Sequence, residues 1–236
     1  MRGPLVIAHR GASAREVENS LAAFRAAARL GADAVELDVH ATVDGGLIVH
    51  HDEAIAGRPI PYLTTAQVAS QRLPNGEPVP TLAAALEALE PALQVFVEVK
   101  SLPPQFDDRL LEALDTGPNP EGYAVHGFDH RIVERLGRER PSLRRGVLSA
   151  SYPIDPLAPL RDAGATMLWQ ERTLVDRPLA AALHGAGMQL LVWTVDDPTE
   201  MRRLLEMGAD GICTNHPDVG RRAVDALGTV AGGGRA

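Results

Sequence analysis

The chain has 236 residues, 45% of them hydrophobic and 23% charged, enough for one barrel-sized core or for two small domains. A formal net charge of -8 argues against a nucleic-acid partner and against docking on anionic lipid by charge alone. One cysteine, Cys213, excludes an intramolecular disulfide and fits a reducing compartment.

The N-terminus, Met1-Arg2-Gly3-Pro4, runs into the first strand with no apolar leader segment. No apolar stretch reaches the roughly 18 residues of a membrane span. The expectation is a cytoplasmic protein with no membrane span. The first strand, Leu5-Val6-Ile7-Ala8, ends in His9-Arg10-Gly11. Continuous apolar runs mark buried parallel strands, and functional groups gather where such strands end. Asn19 or Ser20 then caps a helix whose Leu21, Phe24 and Ala28 share one face. Gly31 closes it, and Ala34–Val39 is the second strand. Leu47–Asp52 reads as a short strand hairpinned on it through Asp44-Gly45-Gly46.

Residues 53–80, punctuated by five prolines, read as a small insertion with one weak helix near Thr65–Arg72. A helix over Thr81–Leu89 leads to strand Leu93–Lys100, after which helix and strand alternate to the end. Strands fall near Tyr123–Phe128, Arg145–Ser149, Thr166–Gln170, Gln189–Thr194 and Asp210–Thr214. Their helices fall near Pro104–Leu114, His130–Arg138, Pro156–Ala163 and Pro178–Gly185, then from Asp197 to Gly208 and from Pro217 to Leu227. Gly31, Gly164, Gly187 and Gly208 each close a helix shortly before a strand, the αβ turn of a parallel fold. Eight βα units in 236 residues suit an eight-stranded parallel β/α barrel of the TIM type. An open doubly wound sheet is the runner-up, weakened by the lack of a GxGxxG after the first strand. Residues 1–230 are expected to be this single domain and 231–236 a disordered tail.

The chemistry concentrates on the first strands. Residues two apart on a strand face the same side, so Glu36 pairs with Asp38 and Glu98 with Lys100. Carboxylates on a strand buried on both faces need compensation, and a metal ion supplies it. Oxygen ligands without cysteine suit Mg, Ca or Mn. The structural alternative is a Glu98–Lys100 salt bridge, with Glu36 and Asp38 at a solvated strand end. His9 and His51 are candidate acid and base, with Asp52 orienting His51 and the pleat turning His50 away. Trp193 is a candidate wall for an apolar part of a substrate, Glu18 and Asn19 support the metal or cap a helix, and Cys213 is a small core residue. His126 lies near a strand end and carries no clear signal.

Taken in order, His9-Arg10-Gly11, Glu18-Asn19, Glu36-Leu37-Asp38, His51-Asp52, Glu98-Val99-Lys100, Trp193-Thr194-Val195 and the run Asp210–Pro217 resemble the glycerophosphodiester phosphodiesterase family. The resemblance implies a barrel with an insertion after the His-Asp motif and a small-molecule phosphodiester as substrate. It implies a divalent metal (Mg, Ca or Mn) on Glu36, Asp38 and Glu98, His9 and His51 as the acid/base pair, and Arg10 and Lys100 on the phosphate. It further implies attack by the glycerol 2-hydroxyl and a cyclic phosphate that water then opens, giving glycerol 3-phosphate and an alcohol. Relatives that cleave lysophospholipids or inositol phosphodiesters, and a non-catalytic phosphate-binding barrel, are the other readings. Three departures stand out: Val17 where the family usually has proline, Gly127-Phe128 where a Ser-Phe pair is common, and a short, Pro-rich insertion.

Overall fold

The computed structural model describes the backbone of residues 3–232 and side chains as far as residue 227. Its apolar runs become strands in the order the sequence suggests. β1 (Leu5–His9) and β2 (Ala34–Ala41) come first, followed by three short strands, β3 (Leu47–Val49), β4 (Ala54–Ile55) and β5 (Arg58–Pro59). The longer β6 (Gln94–Ser101) precedes β7 (Tyr123–Gly127), β8 (Arg144–Ser149), β9 (Met167–Glu171), β10 (Gln189–Trp193) and β11 (Gly211–Thr214). The helices are α1 (Leu21–Arg29), α2 (Thr65–Ala69), α3 (Leu82–Ala88), α4 (Asp107–Thr116) and α5 (His130–Glu139). They continue with α6 (Ala158–Ala163), α7 (Arg177–Gly185), α8 (Pro198–Met207) and α9 (Pro217–Gly232).

β1 pairs in parallel with both β2 and β11, and this closes the sheet β1-β2-β6-β7-β8-β9-β10-β11 into an eight-stranded barrel. Closure removes the edges that a doubly wound sheet would retain, so the runner-up architecture is excluded. β3 adds to β2 antiparallel outside the ring, as the hairpin reading expected. It stops at Val49, so His50, His51 and Asp52 lie beyond the sheet and the pleat does not govern them. α4 starts at Asp107, later than expected, because Pro104–Phe106 wind as a 3₁₀ turn ahead of it. α9 runs past Leu227 to Gly232, and the rest of the tail, 233–236, lies outside the described residues.

Apolar side chains form an inner and an outer shell. Outside the sheet, two clusters fill the space under the helices, with Val35, Leu37, Val97 and Leu110 in one and Val147, Leu168, Leu190 and Ile212 in the other. Inside, Ile7, Ala34, Phe96, Ala124, Leu148, Trp169, Leu191 and Cys213 pack the barrel lumen. Residues 53–80 bury their own small cluster, Ile55, Ile60, Leu63, Val68, Leu73 and Val79, against Ile48 and Val17. The insertion therefore rests on the first βα loop, at the end of the barrel where the strands finish.

Candidate active site

The strand period of two carries the inward face from an apolar layer to a polar one. Two residues beyond Ile7, Ala34, Phe96 and Ala124, the inward positions are His9, Glu36, Glu98 and His126. The register agrees, with His9 opposite Glu36, Asp38 opposite Glu98, and Glu98 opposite His126. These groups stand at the C-terminal ends of the strands, where barrel enzymes place their chemistry. A cavity of about 210 Å³ opens there, lined by His9, Arg10, Glu36, His51, Glu98 and Lys100, with His126, Phe128, Trp169, Trp193 and Cys213 among its other walls. A larger concavity, about 850 Å³, lies at the opposite mouth beside Leu5, Gln94, Arg144, Gln189 and Asp210. It gathers none of the candidate groups, and that end of a barrel serves stability.

The loop after β1 is shaped for close approach. Gly11 has φ +81°, and a Cβ there would fall 2.7 Å from the Ala23 backbone of α1. Arg10 and Asn19 also sit in the left-handed region, at φ 56° and 54°. Strain of this kind, about 1–3 kcal/mol per residue, persists where surrounding contacts over-determine it. The contacts here are specific. The Arg10 N–H donates to Glu36 Oε2 at 3.1 Å, and Asn19 Nδ2 donates to Asp38 Oδ2 at 2.8 Å. Ser20, not Asn19, caps α1, accepting from the Ala23 N–H, so Asn19 is free to serve Asp38.

Four carboxylates and two fixed cations share the site. Arg10 Nη1 reaches both oxygens of Glu18 at 3.0 Å, and its Nε lies 3.1 Å from Asp38 Oδ2 without the alignment of a hydrogen bond. Lys100 Nζ bridges Glu98 Oε1 at 2.7 Å and Asp38 Oδ1 at 3.2 Å. The Glu98–Lys100 ion pair anticipated as the structural alternative is thus present. The solvated strand end is not, since Glu36 is 2% and Asp38 0% exposed. Burial pushes the Asp38 carboxyl up, but Lys100, Arg10 and Asn19 outweigh it and hold the group below the ordinary range. Burial, then the charges of Asp38 and Glu98, drive Glu36 well above that range. Glu98 is pushed up to about 7 by burial and by Asp38. Glu36 Oε1 is buried with no hydrogen-bond partner among the described residues.

The histidines differ in how they are held. His9 Nδ1 lies 2.7 Å from Asn215 Oδ1. The Asn215 amide is oriented by its own Nδ2, which donates to Asp196 Oδ2 at 2.7 Å. Oδ1 must then accept, His9 carries its proton on Nδ1, and Nε2 keeps the lone pair. Burial and then Arg10 lower the His9 pKa, while Asn215 opposes them. His51 Nδ1 pairs with Asp52 Oδ1 at 2.9 Å, as the sequence suggested. His51 borders the cavity, and a neighbouring backbone contact steadies it, with His40 Nε2 3.3 Å from the His51 carbonyl. Trp193 is pinned by Nε1 donating to the Trp169 carbonyl, and Phe128 meets it edge to face at 5.6 Å.

All eight sequence-selected site residues therefore meet at one mouth. Asp38 stands behind the others, wrapped by Asn19, Arg10 and Lys100. Among the described residues, the ligand atoms that approach one another within 4.8 Å come from Glu36, Glu98 and His126. Sequence reasoning gave no role to His126, Asn215 or Phe128. The signal for His126 was its register with Glu98, which appears only once strands are paired. Asn215 lies 206 positions from His9 and becomes its neighbour only when the barrel closes.

Comparison with known proteins points to one family. Residues 9–219 match the model of the glycerophosphoryl diester phosphodiesterase family. The chain is 31% identical to a glycerophosphodiester phosphodiesterase of Caldanaerobacter subterraneus over 91% of its own length and 95% of the relative's. A crystal structure of a glycerophosphodiester phosphodiesterase from Parabacteroides distasonis is 26% identical, with TM-score 0.85 over 98% of this chain and all of that one. An Oleispira antarctica phosphodiesterase, solved with the product sn-glycerol-3-phosphate, shares the fold at 22% identity and TM-score 0.88, over 94% and 97% of the two chains.

Proposed function

The chain belongs to the glycerophosphoryl diester phosphodiesterase family and is a glycerophosphodiester phosphodiesterase; we propose that it hydrolyses its substrate with a divalent cation, releasing glycerol 3-phosphate and an alcohol. The observation that carries this reading is the convergence on one cavity of buried acids, the two cations Arg10 and Lys100, His9 at the end of β1 and His51 from the loop after β3. The release of glycerol 3-phosphate gains support from the product held by the Oleispira relative.

The acids suit a metal. Among the described residues, Glu18, Glu36, Asp38 and Glu98 face only Arg10 and Lys100 as fixed positive charges, and the buried Glu36 Oε1 has no hydrogen-bond partner. Glu36, Asp38 and Glu98 would hold the ion, which supplies positive charge to a phosphoryl oxygen and relieves the repulsion among the three. Mg, Mn and Ca are the candidates that an oxygen set favours. Arg10 and Lys100 bind the phosphate through charge. One guanidinium nitrogen of Arg10, Nη2, makes no hydrogen bond among the described residues and is available for an equatorial oxygen.

His9, with its lone pair on Nε2, takes the proton of the glycerol 2-hydroxyl as that oxygen attacks phosphorus. His51, oriented by Asp52, gives a proton to the departing alcohol oxygen. The cyclic phosphate is then opened by water with the two roles reversed. Trp193 and Phe128 wall the exit on the apolar side. That wall also supports a second substrate class, lysophospholipids, whose acyl chain adds apolar surface to the glycerol side; inositol phosphodiesters, with a larger polar leaving group, are the other alternative. Cys213, a free thiol, fits a cytoplasmic location, and the substrate class gives the enzyme a part in glycerol and lipid turnover.

The test is turnover of glycerophosphocholine and glycerophosphoethanolamine, followed by enzymatic detection of glycerol 3-phosphate. EDTA should abolish it, and Mg, Mn or Ca should restore it. Full turnover after rigorous chelation would remove the metal, and a 2-deoxy analogue cleaved as fast as the natural diester would remove the internal nucleophile.

A further inference from the structure

His126 is a polar group placed where an apolar one would pack more easily. It occupies the inward position of β7 opposite Glu98 and is 1% exposed. Its ring is held by aromatic faces. It stacks on Trp169 at 4.2 Å between centroids with the planes 5° apart, and its ring and that of Phe96 meet edge to face at 6.5 Å. Space for the Trp169 indole comes from Gly146, where a Cβ would fall 2.8 Å from the indole ring. The stack fixes the imidazole without using its nitrogens, and Nδ1 is buried with no hydrogen-bond partner among the described residues. An unpaired buried polar nitrogen costs about 1–3 kcal/mol unless something else engages the ring. One of its nitrogens lies within 4.8 Å of carboxylate oxygens of both Glu36 and Glu98. Two acids and an imidazole, all buried and facing one point, form a ligand set.

We propose that His126 supplies an imidazole ligand to the divalent cation at Glu36 and Glu98, making a mixed oxygen–nitrogen site that prefers Mn, Co or Zn to Mg or Ca. The inference rests on the metal-dependent reading above and sharpens it. Mg and Ca are hard ions that favour oxygen and bind imidazole poorly, whereas the gain from a nitrogen ligand begins modestly at Mn and rises through Co along the first row. An all-carboxylate site would be largely indifferent to residue 126. With His126 bound, the nitrogen contributes to affinity for one group of metals and adds little for the other. The ring is already oriented by Trp169, so no conformational freedom is lost when the metal enters.

The experiment uses the full chain, stripped of metal and titrated with Mn, Co and Ca by calorimetry, with pulsed EPR on the Mn form. The wild type should show a directly coordinated histidine nitrogen coupled to Mn. His126→Gln and His126→Phe, the latter keeping the stack on Trp169, should both lose that coupling. Their Mn and Co affinities should fall by at least about 10- to 100-fold, the loss seen even for groups that merely orient a ligand. Ca affinity should change by less than about threefold, since an oxygen-seeking ion gains little from the ring. Mn bound without nitrogen coupling in the wild type overturns the inference and leaves the metal-dependent reading standing. A wild type that binds none of the three ions, nor Mg in the same titration, overturns both. The EPR measurement on the wild type needs no variant, so a variant that fails to fold does not remove the test.

Discussion

Asn215→Ala should damage catalysis through His9 without touching the cavity. Asn215 does not border the cavity; it accepts from His9 Nδ1 at 2.7 Å, lies 2.7 Å from the Ser13 hydroxyl, and is braced by Asp196 through both its side-chain and backbone N–H groups. Truncation removes the acceptor that selects the Nδ1–H tautomer and frees the ring to turn. A net hydrogen bond of about 0.5–1.5 kcal/mol corresponds to a loss of roughly 2- to 12-fold in productive His9. Removing His9 altogether should cost about 10²- to 10⁴-fold. The expected fall in kcat is therefore about 10-fold, with KM unchanged. The pH profile gives the sharper signature. A base works when neutral, so the acid limb follows the His9 pKa. Burial and Arg10 already lower that pKa, and Asn215 is the neighbour that raises it through a hydrogen bond. Asn215→Ala should move the acid limb to lower pH, and Asn215→Asp, which places a charge beside Nδ1–H, should move it to higher pH. Initial rates over pH 4–9, taken as kcat and kcat/KM for both variants, measure it. An acid limb that stays in place in both variants would refute His9 as the base that Asn215 positions.

Three further outcomes follow from the geometry. Arg10→Lys should lower kcat/KM by about 10-fold or more, because one ammonium cannot hold Glu18 and Asp38 and still address a phosphate oxygen as the planar fork does; steady-state kinetics on glycerophosphocholine read this directly. Gly11→Ala should destabilise the fold by about 1–3 kcal/mol from backbone strain, with added cost from a Cβ 2.7 Å from the Ala23 backbone, seen as a lower urea midpoint at an unchanged slope. Metal binding should release protons below about pH 7 and release fewer above it, since Glu98 is pushed up to about 7 and must be ionised to ligate; calorimetry in buffers of different ionisation enthalpy counts them.

What the sequence revealed depended on the distance over which each signal acts. The Gly31, Gly164, Gly187 and Gly208 turns are local, and all four adopt the positive φ that the αβ reading requires. Pairs on one strand, Glu36 with Asp38 and Glu98 with Lys100, were legible because the strand period is local too. Relations between strands were not. His50 and His51 seemed separable by the pleat, yet β3 ends at Val49, and what brings His51 to the cavity is the loop beyond it. Asp38 reads from the sequence as equivalent to Glu36, yet Asn19 and Arg10 from the loop after β1 and Lys100 from β6 converge on it and hold it ionised, while Glu36 keeps a buried oxygen with no hydrogen-bond partner among the described residues. His126 carries no signal in the sequence because its neighbours there are apolar, and its chemical neighbours stand on β2 and β6. The barrel assembles this site by register. A polar position two residues past an inward apolar one, repeated on adjacent parallel strands, places its group in the same layer whatever separates the strands in the chain. On that argument the inward positions of β1, β2, β6 and β7 share one layer, and the proposed role of the histidine on β7 follows from its place there beside the acids that the motif marks.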